Sequence, residues 1–318
     1  MIRSLPSPFE NCLVLSGPTA VGKSALALEL SESLNAEIIS ADSMLVYRGM
    51  NIGTGKPSPE ELARVPHYLI DCLEPWQSAN VAWWLEQTQK TIQQIQAKGK
   101  QPLIVGGTPL YLKAIIAGLF DSPPSDPILR RQLEDEAKTS GAAGLHQQLQ
   151  LCDPISAQRL HPNDLQRVIR ALEVFLLTKK PLSSWQNQIG WQEKRASGPP
   201  FQLKNGKLQF LVLSLERQEL YQRINQRVEQ MFALGWIEEV KSLLNLPQPM
   251  SNQASKALGY QEIIAFLEGK MSLLETKERI ATLTRQFAKR QLTWFRHLPG
   301  VIFSDNQLTI QLWGEKIR

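Results

Sequence analysis

Gly17-Pro18-Thr19-Ala20-Val21-Gly22-Lys23-Ser24 fits G-x-x-x-x-G-K-[ST] at every fixed position, and it stands between a strand signal and a helix signal. Before it, Cys12-Leu13-Val14-Leu15-Ser16 reads as a buried strand. After it, Lys23 to Leu34 carries Leu26, Leu30 and Leu34 at helical spacing. Strand, glycine loop and helix together make a phosphate site rather than a chance pattern. The glycines let successive backbone N–H groups of residues 17–24 turn toward phosphate oxygens. The helix N-terminus adds partial positive charge. Lys23 is expected on an outer phosphate and Ser24 on Mg²⁺. The loop predicts a di- or triphosphate ligand without saying which one.

Composition narrows the class. The chain has 318 residues, enough for a main domain with an insertion. No apolar run approaches the roughly 18 residues a membrane helix needs. No signal-type apolar core precedes Pro6 and Pro8, so a cytoplasmic protein is expected. Cys12, Cys72 and Cys152 lie too far apart for a C-x-x-C motif, and the four histidines are scattered. The net charge of +5 is modest, so its placement matters more than its size.

Strand and helix signals alternate to about residue 118. Strands are expected at Glu37–Ser40, Tyr68–Ile70 and Leu103–Val105, with helices over Asn80–Lys98 and from Thr108 to near Gly118. This alternation predicts a parallel sheet wrapped by helices. At Ser122-Pro123-Pro124 the pattern changes to helical segments alone, with starts expected at Asp153-Pro154 and Pro162-Asn163. Trp185 to Pro200 reads as a loop, and Gln209 to Leu215 returns to a buried strand. The expected organisation is a first core part over 1–120, a helical insertion over 121–200 and a second core part over 201–318. In the last part, Gly235 reads as a helix stop. Arg279 to Arg296 reads as a basic helix without acids. Its Arg285, Lys289 and Arg296 fall on one face, and Ile280, Leu283, Phe287 and Trp294 on the other. Such a stripe suits a polyanion.

A phosphate loop of this kind commonly works with a strand ending in Asp. Here Leu103-Ile104-Val105 ends in Gly106-Gly107-Thr108 instead. An acid appears after the second strand, in Ile38-Ile39-Ser40-Ala41-Asp42-Ser43. In an open α/β sheet, ligands lie outside the carboxyl ends of the strands, so Asp42 is expected near the loop.

These segments, with Met44-Leu45-Val46-Tyr47, Gly53-Thr54-Gly55-Lys56-Pro57, His161-Pro162-Asn163-Asp164-Leu165-Gln166-Arg167 and Leu258-Gly259-Tyr260, resemble the tRNA dimethylallyltransferases, over about residues 11–297. The resemblance implies a phosphate-loop α/β fold with a helical insertion and a helical C-terminal region. It implies transfer of a dimethylallyl group from its diphosphate to N6 of the adenine immediately 3′ of the anticodon, in a cytoplasmic monomer. The catalytic set it implies is Asp42 as general base, Lys23 and Arg223 on the diphosphate, and Thr19 near the bridging oxygen. Mg²⁺ on Ser24 completes the set.

For the tRNA anticodon stem-loop the resemblance implies contacts by Asp42, Ser43, Met44 and Leu45, by Thr108 and by Arg130. It adds Gln166, Arg167, Val168, Ile169 and Arg170, and then Lys256, Ala257, Leu258, Gly259, Tyr260 and Gln261. Leu45 stands where many relatives carry Gln. Arg285, Lys289, Arg290 and Arg296 enter as phosphate contacts by charge alone. The competing readings are a prenyltransferase acting on free adenine nucleotides, a small-molecule kinase and a non-catalytic RNA-binding module.

Overall fold

The computed structural model describes residues 9, 11–119, 123–188, 209–298 and 300–314. In chain order these form β1 (Leu13–Ser16), α1 (Lys23–Ser33), β2 (Ala36–Ser40), α2 (Pro59–Arg64), β3 (His67–Tyr68), α3 (Val81–Ala97), β4 (Gln101–Val105) and α4 (Pro109–Ala117). Four helices follow: α5 (Pro127–Cys152), α6 (Pro154–Arg159), α7 (Leu165–Thr178) and α8 (Leu182–Gln188). The chain then runs through β5 (Gln209–Leu213), α9 (Arg217–Ala233), α10 (Trp236–Leu244), a 3-10 turn at Ala254–Lys256, α11 (Tyr260–Leu267), α12 (Leu273–Arg296), β6 (Ile302–Ser304) and α13 (Asn306–Gly314). By contact density the chain divides into two compact units, Met1–Ile116 with Ala196–Arg318, and Ala117–Arg195. No helix among the described residues is long and apolar enough to cross a membrane.

The first unit is built on a sheet of order β3-β2-β4-β1-β5-β6, with every neighbouring pair parallel. Its strands are apolar on both faces because helices cover both, as parallel sheets require. On one face Val14, Ile39, Ile104 and Phe210 pack with Trp84, Ile92, Leu112 and Phe295. On the other, Leu15, Ile38, Leu103 and Leu211 pack with Leu26, Leu30, Ile224 and Trp313.

Four expectations shift. The third strand stops at Tyr68 rather than Ile70, because Leu69 and Asp71 take left-handed backbone angles (φ 61° and 53°). Leu69 is held there by burial in the core, and Asp71 by an ion pair with Lys56. The helix expected at Pro162-Asn163 begins at Leu165, capped by Asp164, whose side chain accepts the Arg167 N–H. Trp185–Gln188 is helical, within α8, rather than loop; 189–200 lie outside the described residues. On α12 the buried stripe is Thr276, Ile280, Thr284, Ala288, Gln291 and Phe295, while Leu283 and Phe287 are half-buried and Trp294 is exposed. Threonines can enter a core here because Thr276 and Thr284 donate their hydroxyls to the carbonyls of Ser272 and Ile280, one turn back.

The second unit is a helical cluster around Leu133, Leu145, Leu149, Val168, Ile169 and Leu172. Asp126, with Pro127 next, caps α5, and Asp153, with Pro154 next, caps α6. α5 is broken at Gly141, whose φ of 75° is non-helical. Glu173 of α7 is fully buried and accepts from the Asp126 N–H and from the guanidiniums of Arg130 and Arg170. Burial alone would raise this carboxyl, but these hydrogen bonds outweigh it and hold it below the ordinary 4.5. The ionised form therefore stabilises the unit above about pH 4.5, and that contribution is lost as pH falls through the lowered value. Glu173→Gln should cost about 2 kcal/mol at neutral pH, less than a wholly enclosed pair because both arginines are partly solvated. Thermal unfolding from pH 7 to pH 3 checks this: the gap between variant and wild type should close in acid, and equal midpoints at pH 7 would refute it.

Candidate active site

The phosphate loop joins the carboxyl end of β1 to the start of α1. Gly17 (φ 149°) and Gly22 (φ 103°) take angles that side-chain-bearing residues rarely adopt. A Cβ on Gly17 would also lie 2.8 Å from the Leu213 carbonyl. Gly22 caps α1, and no side chain covers that helix start. Lys23 is half-buried, with its ammonium turned inward to donate to the carbonyls of Gly17 (2.9 Å) and Pro18 (2.7 Å). Burial pushes this ammonium down to about 7; the Arg227 guanidinium acts in the same direction, and the Asp42 carboxylate opposes both. Ser24 is exposed at the first turn of α1.

Asp42 follows β2, and neighbouring backbone fixes its place. Ala41 N–H donates to the Val105 carbonyl (2.7 Å), and Thr108 N–H donates to the Ala41 carbonyl (3.2 Å). A Cβ on Gly106 would fall 2.2 Å from that carbonyl oxygen, which is why a glycine stands there. Ser43 N–H donates to Thr108 Oγ1 (3.1 Å), so Thr108 supports the Asp42 segment from below. Trp84 Nε1 donates to the Ser40 carbonyl (2.9 Å), and its ring stacks on Tyr111 at 4.2 Å. Asp42 Oδ1 accepts the Met44 N–H (2.8 Å); no donor among the described residues reaches Oδ2. The carboxylate thus keeps one oxygen available to accept a proton.

Two arginines of α9 approach this cluster. Arg223 donates to the Val21 carbonyl (3.4 Å) and pairs with Glu219 at 2.8 Å. Arg227, one turn on, is half-buried, and its guanidinium makes no hydrogen bond or ion pair with any described residue. Burial lowers its guanidinium, and the Asp42 carboxylate opposes that shift. Gly55 makes room for it, since a Cβ there would lie 1.8 Å from Arg227 Nη2. Arg227 is a candidate site cation that sequence reading passed over. The available signal was its i+4 spacing from Arg223, which puts both on one helix face. Gln291 was also missed: it is buried, accepts the Thr19 N–H and donates to the Gly107 carbonyl.

Thr19, Lys23, Asp42 and Arg223 all belong to the first unit: the first three follow the carboxyl ends of β1 and β2, and Arg223 reaches the Val21 carbonyl from α9. In the same unit Met44 and Leu45 are half-buried, and Lys256 and Gln261 are exposed. Ala257, Gly259 and Tyr260 are buried, with Tyr260 donating its hydroxyl to Glu239 (2.8 Å). Arg285 is held by Asn225 and Thr282, whereas Lys289, Arg290 and Arg296 are exposed. In the second unit Gln166 and Arg167 are exposed, Val168 and Ile169 are core, and Arg130 and Arg170 are paired with Glu173.

Among the described residues no group of three or more His, Cys, Asp or Glu could hold a metal ion. A divalent cation here would rely on the Ser24 hydroxyl and on oxygens of a bound phosphate, the donor set Mg²⁺ commonly uses with phosphate ligands. The exposed Ser24, at a helix start with no side-chain cap hydrogen bond, fits that role.

Known proteins resemble this chain in sequence and fold. Residues 45–298 match the sequence model of a family described as IPP transferase, and residues 10–73 match one described as isopentenyl transferase. A tRNA dimethylallyltransferase of Geobacter sulfurreducens is 48% identical over 290 residues, covering 91% of this chain and 90% of that protein. One of Carboxydothermus hydrogenoformans is 46% identical over 298 residues, covering 93% and 92%. Among solved structures, the tRNA isopentenylpyrophosphate transferase of Bacillus halodurans superposes with a TM-score of 0.67 at 36% identity, over 97% of this chain and 96% of that one. A eukaryotic dimethylallyltransferase described as acting on tRNA superposes with a TM-score of 0.74 at 28% identity, over 97% and 77%. Identity at this level over nine-tenths of the chain, with a family model matched over residues 45–298, establishes that the chain belongs to the IPP transferase family.

Proposed function

We propose that the protein is a tRNA dimethylallyltransferase, moving a dimethylallyl group from dimethylallyl diphosphate to N6 of the adenine immediately 3′ of the anticodon. The observation that carries this reading is the pairing of a phosphate loop with Asp42, and of neither with an acid after β4. The bond to break is the allylic C–O bond, and the diphosphate leaves intact. The bond to form joins N6 to that carbon, and N6 loses a proton as it attacks.

Each side chain then has a task. Lys23, Arg227 and Arg223, with the loop N–H groups, hold the diphosphate and offset the charge that grows as the C–O bond breaks. Lys23 leaves the Gly17 and Pro18 carbonyls for the phosphate, and diphosphate charge draws its lowered pKa back up. The Thr19 hydroxyl lies toward the bridging oxygen. Asp42 Oδ2 takes the N6 proton, a contribution of about 10²–10⁴-fold. Mg²⁺ held by Ser24 would supply further charge on the leaving diphosphate. The adenine enters the site unstacked, as enzymes acting on a base require. The exposed Lys256, Gln261, Lys289, Arg290 and Arg296 of the first unit, and Gln166 and Arg167 of the second, are the RNA contacts that burial supports. The protein acts as a monomer in this reading.

Labelled dimethylallyl diphosphate with Mg²⁺, offered an anticodon stem-loop or free AMP, tests the reading: label should appear on the stem-loop only. Label on AMP would overturn the tRNA assignment; no label, with ATP consumed, would favour a kinase. In the same assay Asp42→Asn should lower kcat by at least about 10²-fold with stem-loop binding retained. Full activity of that variant would remove Asp42 as the base. Inhibition by inorganic diphosphate separates the two arginines. Arg227→Met should weaken it about tenfold or more, whereas Arg223→Met, already paired with Glu219, should weaken it less. An unchanged inhibition constant for Arg227→Met would refute that cation's role.

A further inference from the structure

Thr19 and Asp42 stand on different elements, yet one side chain touches the backbone that carries each of them. Gln291 of α12 is 3% exposed. Its Oε1 accepts the Thr19 N–H at 2.9 Å, and its Nε2 donates to the Gly107 carbonyl at 2.7 Å. An N–H on one side and a carbonyl on the other fix the amide's orientation, since the reverse would set donor against donor. The contact is close: a Cβ on Gly107 would lie 2.5 Å from Nε2 and 3.1 Å from the Gly17 carbonyl oxygen, so a side chain there would displace the amide.

The Thr19 N–H, directed at Gln291, is withdrawn from the set of loop N–H groups that can face phosphate. Thr19 is left with its hydroxyl as its means of contact, and the bond anchors its backbone beside Ala20, whose φ of 64° is strained for a residue with a Cβ. On the other side, Gly107 lies within Gly106–Thr108, the turn that receives Ala41 and Ser43 around Asp42. The chain of contacts is short and continuous: Thr19 to Gln291 to Gly107, then Thr108 to Ser43, next to the carboxylate.

We propose that Gln291 is a positioning residue, an amide brace that fixes the leaving-group side of the site (Thr19) relative to the proton-accepting side (Asp42). This rests on the transfer reaction proposed above. Transfer needs the departing oxygen, the allylic carbon and N6 aligned, and misplacement by about 1 Å can cost 10²-fold. α12 also carries the exposed Lys289 and Arg290 immediately before Gln291, so the brace stands on the helix offered to RNA.

The test uses the full-length protein in stem-loop prenyl transfer. Gln291→Met keeps the length and removes both bonds. It should lower kcat by about 10–10²-fold at saturating substrates, with the stem-loop Kd within threefold of wild type. Combined with Thr19→Val it should add little, because both changes act through the same residue. Gln291→Glu supplies a second reading. When protonated it can donate and accept as Gln does; when ionised it cannot donate. Burial at this 3% exposed position raises the new carboxyl toward neutrality, so its activity relative to wild type should be higher at pH 6 than at pH 8. Circular dichroism of each variant separates unfolding from misalignment, and Gln291→Glu at pH 6 gives the measurement if Gln291→Met fails to fold. A kcat within twofold of wild type for Gln291→Met, effects that multiply with Thr19→Val, or a flat pH ratio for Gln291→Glu would overturn the brace. Wild-type protein failing to label the stem-loop would instead overturn the proposed function, so the two failures are distinguishable.

Discussion

β4 runs between β1 and β2, and its last hydrogen bonds decide where everything else in the site can stand. Gly106 N–H donates to the Leu15 carbonyl, Ala41 N–H donates to the Val105 carbonyl, and Ser16 Oγ donates to the Gly106 carbonyl. Through these bonds one turn grips the carboxyl ends of two strands. The phosphate loop leaves from one of them and Asp42 from the other. Parallel pairing on both sides of β4 sets the register of all three strands, so the distance between loop and carboxylate is a property of the sheet. This is a rigid way to hold two reacting partners, because the ladder behind them is buried on both faces.

Electrostatics in the site follow from crowding on this edge. Burial depresses the charged forms of both Lys23 and Arg227, and the Arg227 guanidinium depresses Lys23 further. Asp42 is the counter-charge that opposes them. Two cations held close in partial burial gain most from a ligand carrying several negative charges, which relieves their repulsion and their desolvation together. A neutral ligand would offer neither relief. The cluster is therefore suited to a polyanion, such as the proposed diphosphate, by its own unfavourable energy, before any particular hydrogen bond is considered.

Much of this was legible in the chain, and the reasons for the rest are specific. The glycine loop, the strand before it and the helix after it are local features, set by backbone sterics and hydrophobic spacing, so Gly17, Gly22 and Lys23 announce themselves. Asp42 was legible because the carboxyl ends of parallel strands share one edge. Arg227 was not, since what distinguishes it from Arg223 is the room left by Gly55, a contact between residues far apart in sequence. Gln291 was missed for a related reason. Reading α12 by hydrophobicity puts its apolar face on Ile280, Leu283, Phe287 and Trp294, but the buried stripe keeps only Ile280 of these, and at Gln291 it meets the backbone of Thr19 and Gly107, where an amide fits. The motif segments at Gln166–Arg170 and Lys256–Gln261 mix exposed side chains with core ones. A linear pattern records that a segment matters without separating the residues that touch a ligand from those that hold the segment in place.

The missing acid after β4 can be understood in the same terms. Any side chain at position 106 would begin 2.2 Å from the Ala41 carbonyl oxygen, and one at 107 would begin 2.5 Å from Gln291. An aspartate at either position is excluded while Ala41 and Gln291 remain where they are. The space that an acid would fill is given to the backbone of the neighbouring strand, and the carboxylate moves to the end of that strand, as Asp42. There it stands beside the phosphate loop with one oxygen held by the Met44 N–H and the other available. A carboxylate so placed is suited to taking a proton from a nucleophile that arrives from outside. In the proposed reaction, the two glycines after β4 leave the proton-accepting role to the acid after β2.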